Sequence, residues 1–222
     1  MVMDKKTILI FGANGYLGSH FVEMYADKYN FDSWGGKKAP DGMSKWDMLN
    51  KGITSFNIDM LKYDEYDAVL FLHGIGPRRG VKDITYDEFI DMVSISLIEP
   101  MCVLRNIAEV LNQDATVIFV SSGSAKGGSY DPSYASVKGA LPGFIKSLKR
   151  VYPHIRFNGV LPALIENSPI HKGMTPDFEA RQRAAMNGKL VDVKDVCMAI
   201  DLLINAPSIS DEIIEIHNAL KL

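Results

Sequence analysis

Tyr134 and Lys138 stand four residues apart in Tyr134-Ala135-Ser136-Val137-Lys138, and the cluster Ser121-Ser122-Gly123-Ser124 lies just upstream. Residues four apart on a helix share a face. An ammonium beside a phenol favours the phenolate, so such a tyrosine exchanges protons nearer neutral pH than its free pKa of about 10. That spacing arises often by chance on solvated helices. A second motif gives it weight. Phe11-Gly12-Ala13-Asn14-Gly15-Tyr16-Leu17-Gly18 follows an apolar run and opens a helical pattern. Glycines there permit a sharp turn, close approach of backbone to a pyrophosphate and tight helix–strand packing, while the helix amino terminus attracts the anion. The structural alternative is an ordinary strand-to-helix turn.

The elements that must hold these residues follow from periodicity. Apolar or β-branched runs predict strands at 7–11, 31–34, 55–58, 68–72, 116–120, 156–161 and 213–217. Helical spacing predicts helices at 16–29, 44–50 with Ser44 as cap, 85–112, 134–152 and 193–205, with Pro100 kinking or breaking the third. Strands alternate with helices, which implies an α/β fold: a single doubly wound parallel sheet with helices on both faces. The expectation is one domain over 1–222, with the irregular stretch 163–189 as a substrate-facing insertion.

Composition narrows the function classes. A net charge of −3 with scattered Lys and Arg argues against a nucleic-acid partner. No apolar run is long enough for a membrane span, and the polar start does not read as a signal peptide. Cys102 and Cys197 sit in apolar helical contexts and read as buried thiols of a reducing compartment. The histidines have no metal-like spacing. A cytoplasmic location is expected.

Taken together, the glycine turn, the serine cluster and the Tyr/Lys step resemble the short-chain dehydrogenase/reductase family, over almost the whole chain. The resemblance implies an oxidoreductase with Ser122, Tyr134 and Lys138 as catalytic residues, Ser121 being the alternative serine. It implies cofactor contacts from Gly12, Asn14, Gly15, Tyr16, Leu17 and Gly18, from Asp59 and Met60 as the adenine-contacting pair, from His73 and Gly74 after the fourth strand, and from Pro162, Ala163 and Ile165 beside the nicotinamide. Tyr134 and Lys138 would also touch the cofactor. His73 has a second reading as polar packing at a strand end. Family members commonly form homodimers or homotetramers, here through the long helices. Ser96 stands where the family has a fourth catalytic residue, an asparagine, and Ala163 replaces a usual glycine.

Cofactor choice turns on the end of the second strand. An acid there bonds the ribose of NAD, and a basic residue accommodates the 2′-phosphate of NADP. The deciding position falls near Gly36, followed by Lys37 and Lys38, which favours NADP. Asp32 favours NAD, the second choice, if the first helix is short. The expected function is NADP(H)-dependent oxidation and reduction of a small alcohol/carbonyl pair. The Gly-x-x-Gly-x-x-Gly spacing admits a sugar-nucleotide epimerase or dehydratase instead, although that branch's large carboxy-terminal domain is missing. Ser96 and Ala163 admit a non-catalytic NADP-binding regulator.

Overall fold

The computed structural model describes residues 5–36, 38–41, 43–45 and 58–218. The strands are β1 (Thr7–Phe11), β2 (Asn30–Gly35), β3 (Ser44–Lys45), β4 (Tyr66–Phe71), β5 (Leu111–Val120), β6 (Arg156–Pro162) and β7 (Ile213–Ile216). They form one sheet in the order β3-β2-β1-β4-β5-β6-β7, and every pairing is parallel. The helices are α1 (Tyr16–Met24), α2 (Tyr86–Val93), α3 (Glu99–Ile107), α4 (Ser124–Gly127), α5 (Pro132–Val151), α6 (Pro169–Lys172), α7 (Pro176–Ala185) and α8 (Val193–Asn205).

Alternation along the central strands fills two cores. Leu9, Phe11, Val69, Phe71, Val117 and Phe119 face one side, with Leu104 of α3 and Leu141 and Ile145 of α5. Ile8, Ile10, Leu70 and Ile118 face the other, with Phe21 of α1 and Val196 and Ile200 of α8. Burial on both faces explains why these strands read as continuous apolar runs rather than as apolar/polar alternation.

Several predicted boundaries move. Helix α1 stops at Met24, not 29, because Tyr25 and Tyr29 leave the helical path to pack on Phe21. The Tyr29 hydroxyl then donates to Asp201 of α8 at 2.6 Å. Strand β5 begins at Leu111, five residues before the β-branched run. Ser44 lies in edge strand β3 beside Trp34 and Gly35, not at a helix cap; the rest of that predicted helix lies outside the described residues. Of the strand predicted at 55–58, only Ile58 is described, and it starts a single 3₁₀ turn, Ile58–Met60.

The long helix at 85–112 is divided. Thr85 and Glu88 close a capping box at the start of α2. Ser94–Ile98 form a π-type turn in which the Glu99 N–H reaches back five residues to the Ser94 carbonyl. Pro100 follows inside the first turn of α3, where its missing N–H costs least. The irregular stretch predicted at 163–189 contains α6 and α7, each opened by a proline. At the far edge, the buried Arg156 guanidinium donates to the carbonyls of Leu203 (2.9 Å), Ala206 (3.0 Å) and Ile209 (3.2 Å), ending α8 with a side chain from β6. No helix among the described residues is long and apolar enough to cross a membrane.

Candidate active site

Strands β1, β4, β5 and β6 end along one carboxyl edge. The chain order reverses between β1 and β4, with β2 and β3 on one side and β5 to β7 on the other. An open α/β sheet forms its crevice at that point. A cleft of about 910 Å³ lies there.

One wall is the glycine turn. Gly12 has φ +88°, and a side chain on it would meet the His73 backbone nitrogen at 2.5 Å. Gly12 and Ala13 both donate to the Trp34 carbonyl (2.8 and 3.1 Å), tying the turn to β2. The Gly15 N–H closes back on the Gly12 carbonyl at 2.9 Å. A methyl on Gly18 would overlap that same carbonyl, so α1 and β1 approach only because it is glycine. Helix α1 has no side-chain cap and no acid in its first turn. Its amino-terminal N–H groups are therefore available to an anion. Asn14 accepts from the Gly36 N–H at 3.4 Å, and the Tyr16 hydroxyl donates to the Glu166 carbonyl at 2.8 Å. Gly12, Asn14, Gly15, Tyr16 and Leu17 all line the cleft. A glycine-rich backbone cradle beside an uncapped helix end fits a dinucleotide.

The opposite wall carries the titratable groups. Helix α5 starts at Pro132 on an Asp131 cap, whose carboxylate accepts from the N–H groups of Ser133 (3.0 Å), Tyr134 (3.2 Å) and Arg78 (2.7 Å). Burial pushes the Asp131 carboxyl up, but these donors outweigh it and hold its pKa below the ordinary value. One carboxylate thus fixes both the Tyr134 helix and the loop after β4. The sequence reading passed over Asp131, although Asp-Pro ahead of a helical run is a start signal.

Tyr134 is buried at the cleft, which Ser122 lines with it. Burial raises its pKa above 10.0, and the neighbouring Ser122 side chain offsets only part of that rise. The expectation that Lys138 lowers it is not met here: the Lys138 ammonium, 5.8 Å from the ring centroid, donates instead to the Val120 carbonyl at 2.7 Å. Burial brings Lys138 itself down to about 8. The two serines divide their work. Ser121 donates to the Lys138 carbonyl at 3.0 Å, joining β5 to α5, and Ser122 faces the phenol.

His73 sits 2.9 Å from the Ile95 carbonyl through Nε2. Burial pushes its pKa down to about 4, so the ring is neutral at pH 7 and Nε2 donates. The π-type turn and Pro100 are what free this carbonyl: Glu99 bonds Ser94 instead, and Pro100 has no N–H to offer. The Ser96 hydroxyl is buried in the same turn without a hydrogen-bond partner among the described residues, and Ser96 does not line the cleft. Gly74, Pro162, Ala163 and Ile165 line it with His73.

Other sequence candidates stand apart. Asp59 and Met60 are exposed on the 3₁₀ turn and do not line the cleft. Lys37 lies outside the described residues, and Lys38 is exposed. Asp32 does not line the cleft. It is buried and accepts from Trp34 Nε1 (2.9 Å), the Lys62 N–H (2.9 Å) and the Tyr66 hydroxyl (2.5 Å). Among the described residues, no group of three His, Cys, Asp or Glu could hold a metal ion.

Residues 57–209 match the profile of a family described as enoyl-(acyl carrier protein) reductase. The chain belongs to the short-chain dehydrogenase/reductase family of oxidoreductases. The fold agrees with solved members of that family. A glucose/ribitol dehydrogenase-type short-chain dehydrogenase/reductase from Brucella melitensis aligns with a TM-score of 0.81 at 19% identity, over 98% of this chain and 97% of that one. A 3-ketoacyl-(acyl-carrier-protein) reductase from the same organism, solved with NADH, aligns at 0.79 and 18% identity over 95% and 96%. An angucycline C-6 ketoreductase with bound NADP aligns at 0.77 and 18% identity over 95% and 93%. No curated sequence matches this short-chain dehydrogenase/reductase.

Proposed function

We propose that this protein is an NADP(H)-dependent oxidoreductase of an alcohol/carbonyl pair, with Tyr134 as its acid and base. The observation that carries the reading is the convergence of Ser122, the buried Tyr134 and the buried Lys138 on the same cleft as the glycine turn. Similar folds solved with NADH or NADP support a nicotinamide cofactor. In this reading Gly12, Asn14, Gly15, Tyr16 and the α1 amino terminus hold its phosphates, and Gly74, Pro162, Ala163 and Ile165 flank its reactive end. When bound, the nicotinamide supplies or accepts the hydride.

The remaining steps belong to the chain. Ser122 donates a hydrogen bond to the substrate oxygen and orients it where charge develops. Tyr134 releases its proton to that oxygen in reduction and removes it in oxidation. Lys138, protonated at pH 7 and held by the Val120 carbonyl at the cleft wall, would contact the cofactor's ribose. Asp131 positions Tyr134 by fixing the first turn of α5. NADP is preferred because β2 ends at Gly35 with Gly36 next, and the one acid in the strand, Asp32, is fully occupied elsewhere.

The reading extends to a single cytoplasmic domain in which 163–189 faces substrate, and to homo-oligomers joined through the helical stretches at 85–112 and 134–152, the first of which exposes Phe89, Ile90, Ile98 and Met101. Loss of NADPH absorbance with a panel of ketones and aldehydes tests the activity. Tyr134→Phe should lower turnover about 10²- to 10⁴-fold with NADPH affinity kept. Near-normal turnover in that variant removes Tyr134 from the mechanism.

A further inference from the structure

The end of the cleft beyond Tyr134 is built from α6, α7 and the loop after β4. Helix α7 turns Phe178, Gln182 and Ala185 to the cleft, spaced four and three residues apart on one face. Ile170 and Met174 extend that surface, and Ile75, Pro77 and Tyr130 face them. Gly76 closes the span: a Cβ on it would lie 3.1 Å from Ile170 Cγ1.

The charges of this region are held away from the cleft. Arg183 is bound by Glu166 (2.7 Å) and Glu179 (2.8 Å), and His171 pairs with Glu179 at 3.1 Å. None of these four lines the cleft. Among the described lining residues, Lys138 carries the one full charge at pH 7, and its ammonium is committed to Val120. Gln182 is half-buried and lines the cleft, and its amide makes no hydrogen bond to another described residue.

Resting on the oxidoreductase reading above, we propose that this end is a subsite for an uncharged, mainly hydrocarbon carbonyl compound with one hydrogen-bonding group for Gln182. A carboxylate or phosphate placed there loses water and finds no cation. An ester, ketone or hydroxyl keeps its one polar contact, and Phe178, Met174 and Ile170 cover the rest.

The test compares ethyl 2-oxo-4-phenylbutanoate with its free acid, 2-oxo-4-phenylbutanoate, by calorimetry on the intact protein with NADPH. The ester should bind at least about 30-fold more tightly. Gln182→Arg should shift that ratio toward the acid by at least about tenfold, and Gln182→Leu should weaken the ester by about three- to tenfold. Equal binding, tighter binding of the acid, or no binding of the ester overturns the subsite. NADPH oxidation followed in the same samples separates the two readings. Ester that binds selectively but is never reduced leaves the subsite standing and overturns the oxidoreductase.

Discussion

Burial of the Tyr134 phenol outweighs the opposing influence of the neighbouring Ser122 side chain, so the proton is held more tightly than in free tyrosine. The Tyr-x-x-x-Lys spacing placed both side chains on one helix face, but it carried no information about desolvation, which dominates both groups. Lys138 gives this a measurable sign. Its pKa falls from 10.5 unfolded to about 8 folded. Below pH 8 both states are protonated and the folded chain bears the full cost of a buried ammonium. Between 8 and 10.5 the unfolded chain binds more protons, so stability from this group rises with pH. The melting temperature of the wild type should therefore climb relative to Lys138→Met across that window, measured without cofactor, and their difference should be flat below pH 7. Comparing the pair cancels the other tyrosines and Cys197. Asp32 is the other residue that position alone misplaced. A count from the glycine turn brings it near the ribose, yet three donors hold it inside the core. Asp32→Ala should cost about 1–3 kcal/mol of stability, read by urea denaturation, with the ratio of NADPH to NADH affinity unchanged.

Elements were legible where one cause determined them. Helix α8 and strand β1 match their expected bounds because an amphipathic stripe and a short apolar run each sit between clear stop signals. The π-type turn was not legible, since no residue type announces it. Pro100 marked a disturbance, but the structure puts that disturbance in the preceding turn, where it leaves the Ile95 carbonyl for His73. His73→Leu should destabilise the fold by about 1–3 kcal/mol by leaving that carbonyl unsatisfied, and amide exchange in α2 and α3 should rise with it. Gly18→Ala tests the opposite kind of element, a packing contact with no slack. Its methyl has nowhere to go against the Gly12 carbonyl. NADPH affinity should fall at least about tenfold, with loss of more than about 1 kcal/mol of stability.

At the scale of the molecule, the parallel sheet with helices on both faces followed from alternation alone, because few topologies satisfy short right-handed crossovers. The carboxyl-edge crevice followed too. The stretch 163–189 did not. Helix α6 is a single turn, and α7 is mostly polar with its apolar positions facing an open cleft rather than a core, so periodicity had little to register. Its ion pairs are exposed enough to be salt-sensitive. Arg183→Met should raise the KM for carbonyl substrates while leaving the melting temperature nearly unmoved, and the KM effect should shrink as wild-type protein is assayed in rising salt.

Arg156 bears on how the molecule opens. An edge strand such as β7 ordinarily frays alone, with exchange rates set by local openings. Here the last carbonyls of α8 and the Ile209 carbonyl in the connection to β7 are gripped by a guanidinium rooted in β6, whose far end forms a wall of the crevice. Deuterium uptake at Ile213–Ile216 should therefore keep pace with uptake in β6, so that the sheet's last two strands come apart as one cooperative unit.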